Sequence, residues 1–194
     1  MNLPNRLTMV RIFLIPAMIF FYLANFIPGG WGKIIALIIF IGAAITDFLD
    51  GYYARKLNQI TDLGKFLDPI ADKLLVMSAL LLVVADGTIP APYGVLAAII
   101  IIGRELIVSA FRQVAATKKF VMAADWWGKV KTLVTDISLP ALILLSFFYA
   151  NGAVTGTGFL NFFETLNYIL LGLSVALTIV SGVNYLVKNW KVLK

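Results

Sequence analysis

The sequence predicts an all-α membrane protein with six transmembrane helices, and three observations support this fold class. First, 61% of the residues are apolar and only 13% are charged, whereas about 25% of the residues of a soluble domain are charged. Second, the apolar residues form six runs long enough to cross a hydrocarbon core, which takes about 20 helical residues. Third, proline, glycine and asparagine, which end helices, separate several of these runs. Too few residues remain for a separate soluble domain, so we expect one transmembrane domain over residues 1–194.

The predicted spans cover roughly residues 7–27, 31–55, 63–85, 91–117, 129–149 and 163–187. The first could be mistaken for a signal peptide, but no small-residue cleavage site follows it, so we expect a retained helix. The second begins after Pro28-Gly29-Gly30, and a short polar loop separates it from the third. The fourth follows Asp86-Gly87 and two prolines, and a segment opening with Asn151-Gly152 separates the fifth from the sixth.

Cations near the span ends are concentrated on one side of the predicted membrane. Lys33 is the only cation at or near the ends of the segments after the first, third and fifth spans, which also have the acids Asp86 and Glu164. The other cations near span ends lie on the opposite side. By the positive-inside rule, both termini are cytoplasmic. No eukaryotic targeting segment is evident, so we expect the plasma membrane of a bacterium. The net charge of +6 is then explained by this topology and by contact with anionic membrane lipids, not by nucleic acid.

Acidic residues are concentrated in a short part of the chain. Asp47, Asp50, Asp62, Asp68 and Asp72 lie within 26 residues, and all except Asp62 interrupt predicted spans. A carboxylate inside a membrane helix costs about 2.5–3.5 kcal/mol on insertion scales, so it usually faces a partner or a polar cavity. The spacings i,i+3 and i,i+4 place each pair on one helix face. Measured along the two helices, all four carboxylates lie near one level, toward the cytoplasmic edge of the membrane.

Four carboxylates at one level predict a site for a hard divalent cation. Mg²⁺ and Mn²⁺ prefer oxygen ligands, and the chain contains no histidine or cysteine that would favour a softer metal. Gly51 and Ala54 continue the same face and leave room for a flat ligand, and Arg55 suits a phosphate. The alternative is that the aspartates form ion pairs with Lys65, Lys73 and Arg55 that only join two helices.

The fourth and fifth spans carry a second group of charges. Arg104 and Glu105 lie at the predicted level of the aspartates, where an arginine could bind a phosphate through two hydrogen bonds. Arg112 lies further toward the cytoplasm. Lys129 and Lys131 are about 200° apart around their helix, and we favour Lys131 as the one that faces the site. The alternative is that Arg104 and Glu105 pair with each other or with a neighbouring helix.

Small residues recur in the sixth span. They suit close helix packing or a dimer face, and they are Gly172, Ser174, Ser181 and Gly182.

The aspartates belong to a longer pattern with fixed spacing. DFLDGYYAR, from Asp47 to Arg55, is followed after eight residues by GKFLDPIAD, from Gly64 to Asp72. This pattern resembles the signature of the CDP-alcohol phosphotransferase family, D-x2-D-G-x2-A-R-x8-G-x3-D-x3-D, at every fixed position. The flanking segments PNRLTMVR from Pro4, GRELIVS from Gly103 and GKVKT from Gly128 resemble members of the family whose acceptor is sn-glycerol 3-phosphate.

The resemblance implies a homodimeric six-helix enzyme with the CDP-alcohol phosphotransferase fold. Such an enzyme transfers the phosphatidyl group of CDP-diacylglycerol to sn-glycerol 3-phosphate and releases CMP, with its active site open to the cytoplasm and the inner leaflet. Two Mg²⁺ or Mn²⁺ ions would be held by Asp47, Asp50, Asp68 and Asp72, and Asp72 would also be the catalytic base. The CDP group would be bound by Gly51, Ala54, Arg55, Gly64, Asn5 and Thr8. The acceptor phosphate would be bound by Arg104, Arg112 and Lys131.

Other interpretations remain open at this point. The acceptor could instead be serine, inositol phosphate or phosphatidylglycerol, with the same metal site and a different basic pocket. Asn5 and Thr8 could cap a helix instead of contacting the nucleotide. A divalent-ion transporter would also place carboxylates in the membrane, but such a site favours the midplane and often lies between inverted repeats. The carboxylates lie off-centre, and the later spans contain no matching acidic pair.

Overall fold

The computed structural model describes residues 3–56, 62–117, 126–152 and 158–189, and within these ranges the side chains of 3–7, 48–56, 62–66, 68 and 116–117 are not part of the description. The described ranges form six long α-helices and contain no strand. The helices are α1 Leu3–Tyr22, α2 Trp31–Lys56, α3 Asp62–Ala85, α4 Tyr93–Thr117, α5 Trp126–Ala150 and α6 Gly158–Asn189, with a short 3-10 turn at Pro28–Gly30 before α2. The predicted all-α class is confirmed, and each predicted span overlaps one helix.

The end of the first predicted span is wrong, because α1 ends at Tyr22 and the prediction extended to residue 27. Beyond Tyr22, the Leu23 amide still donates to a carbonyl four residues earlier, but the Ala24 amide donates to the carbonyl three residues earlier, at 3.2 Å. The chain then turns through Gly29 and Gly30, whose φ values of 64° and 70° favour glycine. Apolar composition alone could not locate this end, because apolar residues continue past it.

In the part of the chain that the structure describes, four helices are long and apolar enough to cross a membrane. Their apolar stretches are Pro28–Asp47, Tyr93–Ala115, Trp126–Ala150 and Gly158–Asn189. The apolar stretch of α1, Thr8–Tyr22, is shorter, and α3 carries its charged residues in its first half. Large apolar side chains are exposed along the helices, as at Ile38 (64% exposed) and Ile99 (63%). Exposed apolar surface of this kind is typical of lipid contact, and the protein is therefore a membrane protein.

The chain forms two compact units. The first contains Met1–Thr88 and Leu139–Thr155, and the second contains Ile89–Ser138 and Gly156–Lys194. The helix α5 contributes its first part to the second unit and its last part to the first.

In the first unit, α1, α2 and α3 contact one another through small residues. Ala36 and Ala43 on α2 and Ala79 on α3 are fully buried. The start of α2 passes so close to α1 that a Cβ atom at Gly32 would collide with the carbonyl oxygen of Phe21. Small side chains therefore set the spacing between these helices, as is common where membrane helices approach closely.

A polar cluster joins four helix ends in the first unit, and we call it the Asp86 cluster (Tyr22, Lys33, Asp86, Thr88 and Ser146). Asp86, directly after α3, accepts hydrogen bonds from the Tyr22 hydroxyl (2.6 Å), the Lys33 ammonium (2.7 Å) and the Ser146 hydroxyl. Its other oxygen accepts from the Thr88 amide (2.9 Å) and hydroxyl (2.6 Å). The cluster thus holds together the end of α1, the start of α2, the end of α3 and the last part of α5.

The second unit is built around the contact between α4 and α6. Its apolar core contains Val108, Phe111 and Ala115 of α4 and Tyr185 of α6, and the rings of Phe111 and Tyr185 meet edge to face. A buried hydrogen bond of 2.6 Å between the hydroxyls of Thr135 and Ser174 joins α5 to α6. This unit carries the three basic residues predicted to bind the acceptor phosphate, Arg104, Arg112 and Lys131.

Candidate active site

The signature motif lies on the last turns of α2 and the first half of α3. Asp47 and Asp50 lie on α2, and Asp68 and Asp72 lie on α3, which contacts α2 within the first unit. Both helices are continuous here, so the members of the two pairs are separated by about 4.5 Å and 6 Å along their helix axes. The side chains of Asp50 and Asp68 lie outside the described residues, and the four-carboxylate cage stays a prediction.

Asp47 is paired with Arg11, a cation inside the first predicted span. The Arg11 guanidinium of α1 forms a salt bridge with the Asp47 carboxylate. The Arg11 side chain is completely buried, whereas 44% of the Asp47 side chain is exposed. Burying a guanidinium costs free energy unless a carboxylate compensates its charge. The salt bridge between Arg11 and Asp47 therefore fixes the register of α1 against α2 at the motif.

The remaining described side chains of the predicted metal and CDP sites are those of Asp72 and Thr8. Asp72 is exposed on α3, and Thr8 is buried within α1. Because α1 begins at Leu3, the capping alternative is wrong for Thr8. No group of three potential metal ligands occurs among the described side chains, a set from which two of the four aspartates are missing.

The composition of the motif fits a divalent hard cation. Its potential ligands are all carboxylates, placed on two helices that contact each other. Oxygen-only sets of this kind suit Mg²⁺ and Mn²⁺.

The other residues predicted to bind the CDP group are placed on the same helices by the backbone. Gly51, Ala54 and Arg55 lie in the last turns of α2, Gly64 lies in the first turn of α3, and Asn5 lies in the first turn of α1. Their side-chain surroundings lie outside the described residues, and their roles stay predictions.

In the second unit, two predicted acceptor residues share one carboxylate. The Lys131 ammonium donates to Oε1 of Glu105 at 2.6 Å, and Nη1 of Arg104 donates to the same oxygen at 3.0 Å. Only 3% of the Lys131 side chain and 13% of the Arg104 side chain are exposed. Lys131, the lysine favoured from the sequence, lies beside Arg104. The neighbouring Lys129 is exposed. The Arg104–Glu105 pair that the sequence left open does form, and it includes a second cation.

Arg112, the third predicted acceptor residue, contacts a different partner. Its Nε donates to the Tyr185 hydroxyl at 3.2 Å, and its guanidinium lies 5.4 Å from the centre of the Tyr185 ring. It lies eight residues, about 12 Å, along α4 from Arg104. Arg104 therefore lies with Lys131, whereas the guanidinium of Arg112 contacts Tyr185 of α6.

Comparison with known proteins identifies the family. The family model described as CDP-alcohol phosphatidyltransferase matches residues 1–180. The chain belongs to this family.

Two of the three relatives named below cover nearly all of the chain. A protein of Bacillus subtilis named CDP-diacylglycerol--glycerol-3-phosphate 3-phosphatidyltransferase is 39% identical over 100% of this chain and 97% of its own length. A protein of the same name from Haemophilus influenzae is 38% identical over 95% of this chain and 91% of its own. The Escherichia coli protein of that name is 42% identical over 73% of this chain and 76% of its own.

Two features of this family member were missed in the sequence. Arg11 lies inside the first predicted span, where a charged residue should have prompted a search for a partner. Ser181 and Gly182 of α6 were assigned to helix packing or a dimer face, yet both lie against Arg104: the Ser181 hydroxyl accepts from Nη2 at 3.2 Å, and a Cβ atom at Gly182 would lie 3.1 Å from Cγ. No pattern within α6 alone indicates that α4 supplies the partner.

Proposed function

We propose that this protein transfers the phosphatidyl group of CDP-diacylglycerol to sn-glycerol 3-phosphate, giving phosphatidylglycerophosphate and CMP. In this reaction the free primary hydroxyl of the acceptor forms a bond to the phosphorus that carries the diacylglycerol. The bond from that phosphorus to the oxygen of CMP breaks, and the hydroxyl proton passes to a base. The names of near-full-length relatives support this assignment.

The observation that favours an anionic acceptor is the pair of cations that share Glu105 in the second unit. Arg104 and Lys131 together carry two positive charges, and Glu105 compensates one of them. The remaining positive charge favours an anionic acceptor over a neutral alcohol such as serine. A guanidinium and an ammonium are also the groups that proteins use to bind phosphate.

The motif aspartates supply the second part of the chemistry. Asp47, Asp50, Asp68 and Asp72 would hold two Mg²⁺ or Mn²⁺ ions, which neutralise charge on the pyrophosphate when bound. Asp72 would accept the proton of the acceptor hydroxyl at its carboxylate, because a chain without histidine has few other bases. Arg11 would keep the Asp47 carboxylate in place, since the two form a salt bridge.

The remaining parts of the proposal concern the membrane. All six helices would cross the bilayer, with both termini in the cytoplasm of a bacterium, as the positive-inside rule predicts. A site near the cytoplasmic edge would leave the acyl chains in the inner leaflet while the CDP group meets a water-soluble acceptor. The homodimer implied by the family resemblance is part of the same proposal.

The test is CMP release by the purified protein in detergent. CDP-diacylglycerol and Mg²⁺ or Mn²⁺ would be supplied with one acceptor at a time: sn-glycerol 3-phosphate, serine, inositol phosphate or phosphatidylglycerol. Release with sn-glycerol 3-phosphate alone is the expected result. CMP release with a different acceptor alone would refute the assignment of sn-glycerol 3-phosphate as the acceptor. If folded protein releases no CMP with any acceptor, the ion-transporter interpretation is favoured.

A matched pair of variants tests the motif. We expect Asp68→Asn to lower the rate by about 100-fold or more, because even groups that only orient a metal ligand cost 10–100-fold when removed. Glu164→Gln, which removes an acid outside the motif, should leave the rate within about twofold of the wild type. Equal rates for the two variants would contradict the role of the motif.

A further inference from the structure

The Arg104 side chain is enclosed by groups from three helices of the second unit. Its Nη1 donates to Glu105 on α4, and its Nη2 donates to the Ser181 hydroxyl on α6. A Cβ atom at Gly182 would lie 3.1 Å from Cγ of Arg104, and one at Gly128 on α5 would lie 3.4 Å from Nη2. The guanidinium therefore occupies a narrow space in which glycine and serine leave room for it.

Glu105 is the group that allows Lys131 and Arg104 to lie together. Both cations donate to its Oε1, and the Lys131 side chain is almost completely buried. Two buried cations repel each other, and a buried charge without a partner is strongly destabilising. A single carboxylate between them reduces the repulsion and fixes the positions of both.

The arrangement is also incomplete as a purely structural network. The Nε of Arg104 is buried and has no hydrogen-bond partner among the described residues. Buried donors in proteins are nearly always satisfied, so an unsatisfied one calls for an explanation. An anionic ligand bound by the two cations would supply both the missing negative charge and oxygen acceptors.

We propose that Glu105, together with the Ser181-Gly182 step of α6, positions Arg104 and Lys131 as a clamp for the phosphomonoester of the acceptor. This inference rests on the proposed function and extends it. Glu105 contacts the two cations, and its role is to position them. Ser181 and Gly182 determine where the guanidinium of Arg104 lies. The clamp sets the affinity for the acceptor and leaves the affinity for CDP-diacylglycerol unchanged.

The first test is Glu105→Gln, assayed by CMP release with each substrate varied in turn. We expect the KM for sn-glycerol 3-phosphate to rise about tenfold or more, the range of a lost hydrogen bond between charged groups. The KM for CDP-diacylglycerol should change less than about twofold, because the substitution does not alter the residues proposed to bind the CDP group. An unchanged or lowered acceptor KM, or an equal rise in both KM values, would overturn the role of Glu105.

A double-mutant cycle with Lys131→Met shows whether Glu105 acts through the lysine. If it does, Glu105→Gln has a much smaller effect on the acceptor KM in the Lys131→Met background than in the wild type. If the two effects multiply, Glu105 acts independently of Lys131 and the clamp is refuted.

A matched glycine pair tests the clamp without changing any charge. Gly182→Ala places a methyl group against Cγ of Arg104, whereas a Cβ atom at Gly172 on the same helix meets no atom within 4 Å. We expect a rise of about fivefold or more in acceptor KM for Gly182→Ala only, from displacement of one clamp residue. If Glu105→Gln does not fold, this pair of variants still tests whether the clamp depends on the position of Arg104. Equal acceptor KM values for the two variants would refute the positioning of Arg104 by α6.

A binding measurement separates this inference from the proposed function. If the wild type releases no CMP with sn-glycerol 3-phosphate, the proposed function fails. Inorganic phosphate, compared with sodium chloride at equal ionic strength, should still raise the unfolding temperature of the wild type through binding to the folded state, and Glu105→Gln should lose this effect. Wild-type protein that phosphate does not stabilise would refute the clamp itself.

Discussion

Replacing Asp86 by asparagine should destabilise the protein by about 3 kcal/mol at neutral pH. One oxygen of Asp86 accepts from Tyr22, Lys33 and Ser146, and the other accepts twice from Thr88. Asparagine keeps one oxygen and replaces the other with an NH₂ group, which then faces donors. Each lost hydrogen bond to a charged group costs about 1.5–3 kcal/mol. Part of this cost is recovered because the Lys33 side chain is 17% exposed and can reach water.

The effect of Asp86 should depend on pH in a defined direction. Burial alone would raise the pKa of Asp86, but hydrogen bonds from Lys33, Ser146, Thr88 and Tyr22 outweigh it and hold the pKa below its ordinary value. A carboxylate whose pKa is lowered by folding stabilises the fold above its unfolded pKa, and this contribution is lost as the pH falls through the folded pKa. The difference between wild type and variant should therefore be constant from pH 7 to about 5 and should narrow below about pH 4.

The assay is thermal unfolding in detergent across this pH range. Glu164→Gln is the control, because it removes one negative charge without removing the donors that surround Asp86. An unfolding temperature for Asp86→Asn equal to that of the wild type at pH 7 would refute the energetic role of the cluster. A difference between wild type and Asp86→Asn that stays constant down to pH 3 would refute the electrostatic explanation.

Three further outcomes are expected. Gly32→Ala should lose about 1–3 kcal/mol of unfolding free energy through collision with Phe21, whereas Gly42→Ala, with open space at its Cβ, should not be destabilised; equal unfolding midpoints would contradict this. Asp47→Asn should destabilise the protein more than Arg11→Met, because it takes a carboxylate away from a fully buried guanidinium, whereas Arg11→Met leaves a half-exposed carboxylate. The reverse order of unfolding temperatures would contradict the stabilising role of this salt bridge. Chelation by EDTA should abolish CMP release, and Mn²⁺ or Mg²⁺ should restore it; full activity in EDTA would exclude a divalent metal.

The sequence predicted the helices well because a membrane constrains them strongly. A helix that crosses lipid must be long and apolar, and both properties are visible in the sequence. The end of α1 was misplaced for the same reason, since Leu23, Phe26 and Ile27 are apolar but lie in a turn. Local hydrogen bonding ended this helix before its apolar residues did.

The candidate site was predictable where it depends on spacing within one helix, and not where it depends on contacts between helices. Spacing placed the motif aspartates on α2 and α3 and indicated that only one of Lys129 and Lys131 faces the site. It could not show that Lys131 reaches Glu105, or that Gly182 makes room for Arg104, because these contacts depend on how three helices are rotated against one another. The salt bridge between Arg11 and its partner on α2 was missed for the same reason.

The described ion pairs differ in charge balance, and this difference bears on function. In the described salt bridges, Arg11 pairs with Asp47 and Lys33 pairs with Asp86, so each of these two bridges joins one cation to one carboxylate. Among the described ion pairs, Arg104 and Lys131 share the carboxylate of Glu105, which leaves this group with one positive charge in excess. A purely structural link would need only one cation, and a second buried cation adds a cost of insertion and repulsion. Binding of an anion offsets that cost. The group of Arg104, Lys131 and Glu105, and not the other two salt bridges, is therefore the one that suits the acceptor phosphate.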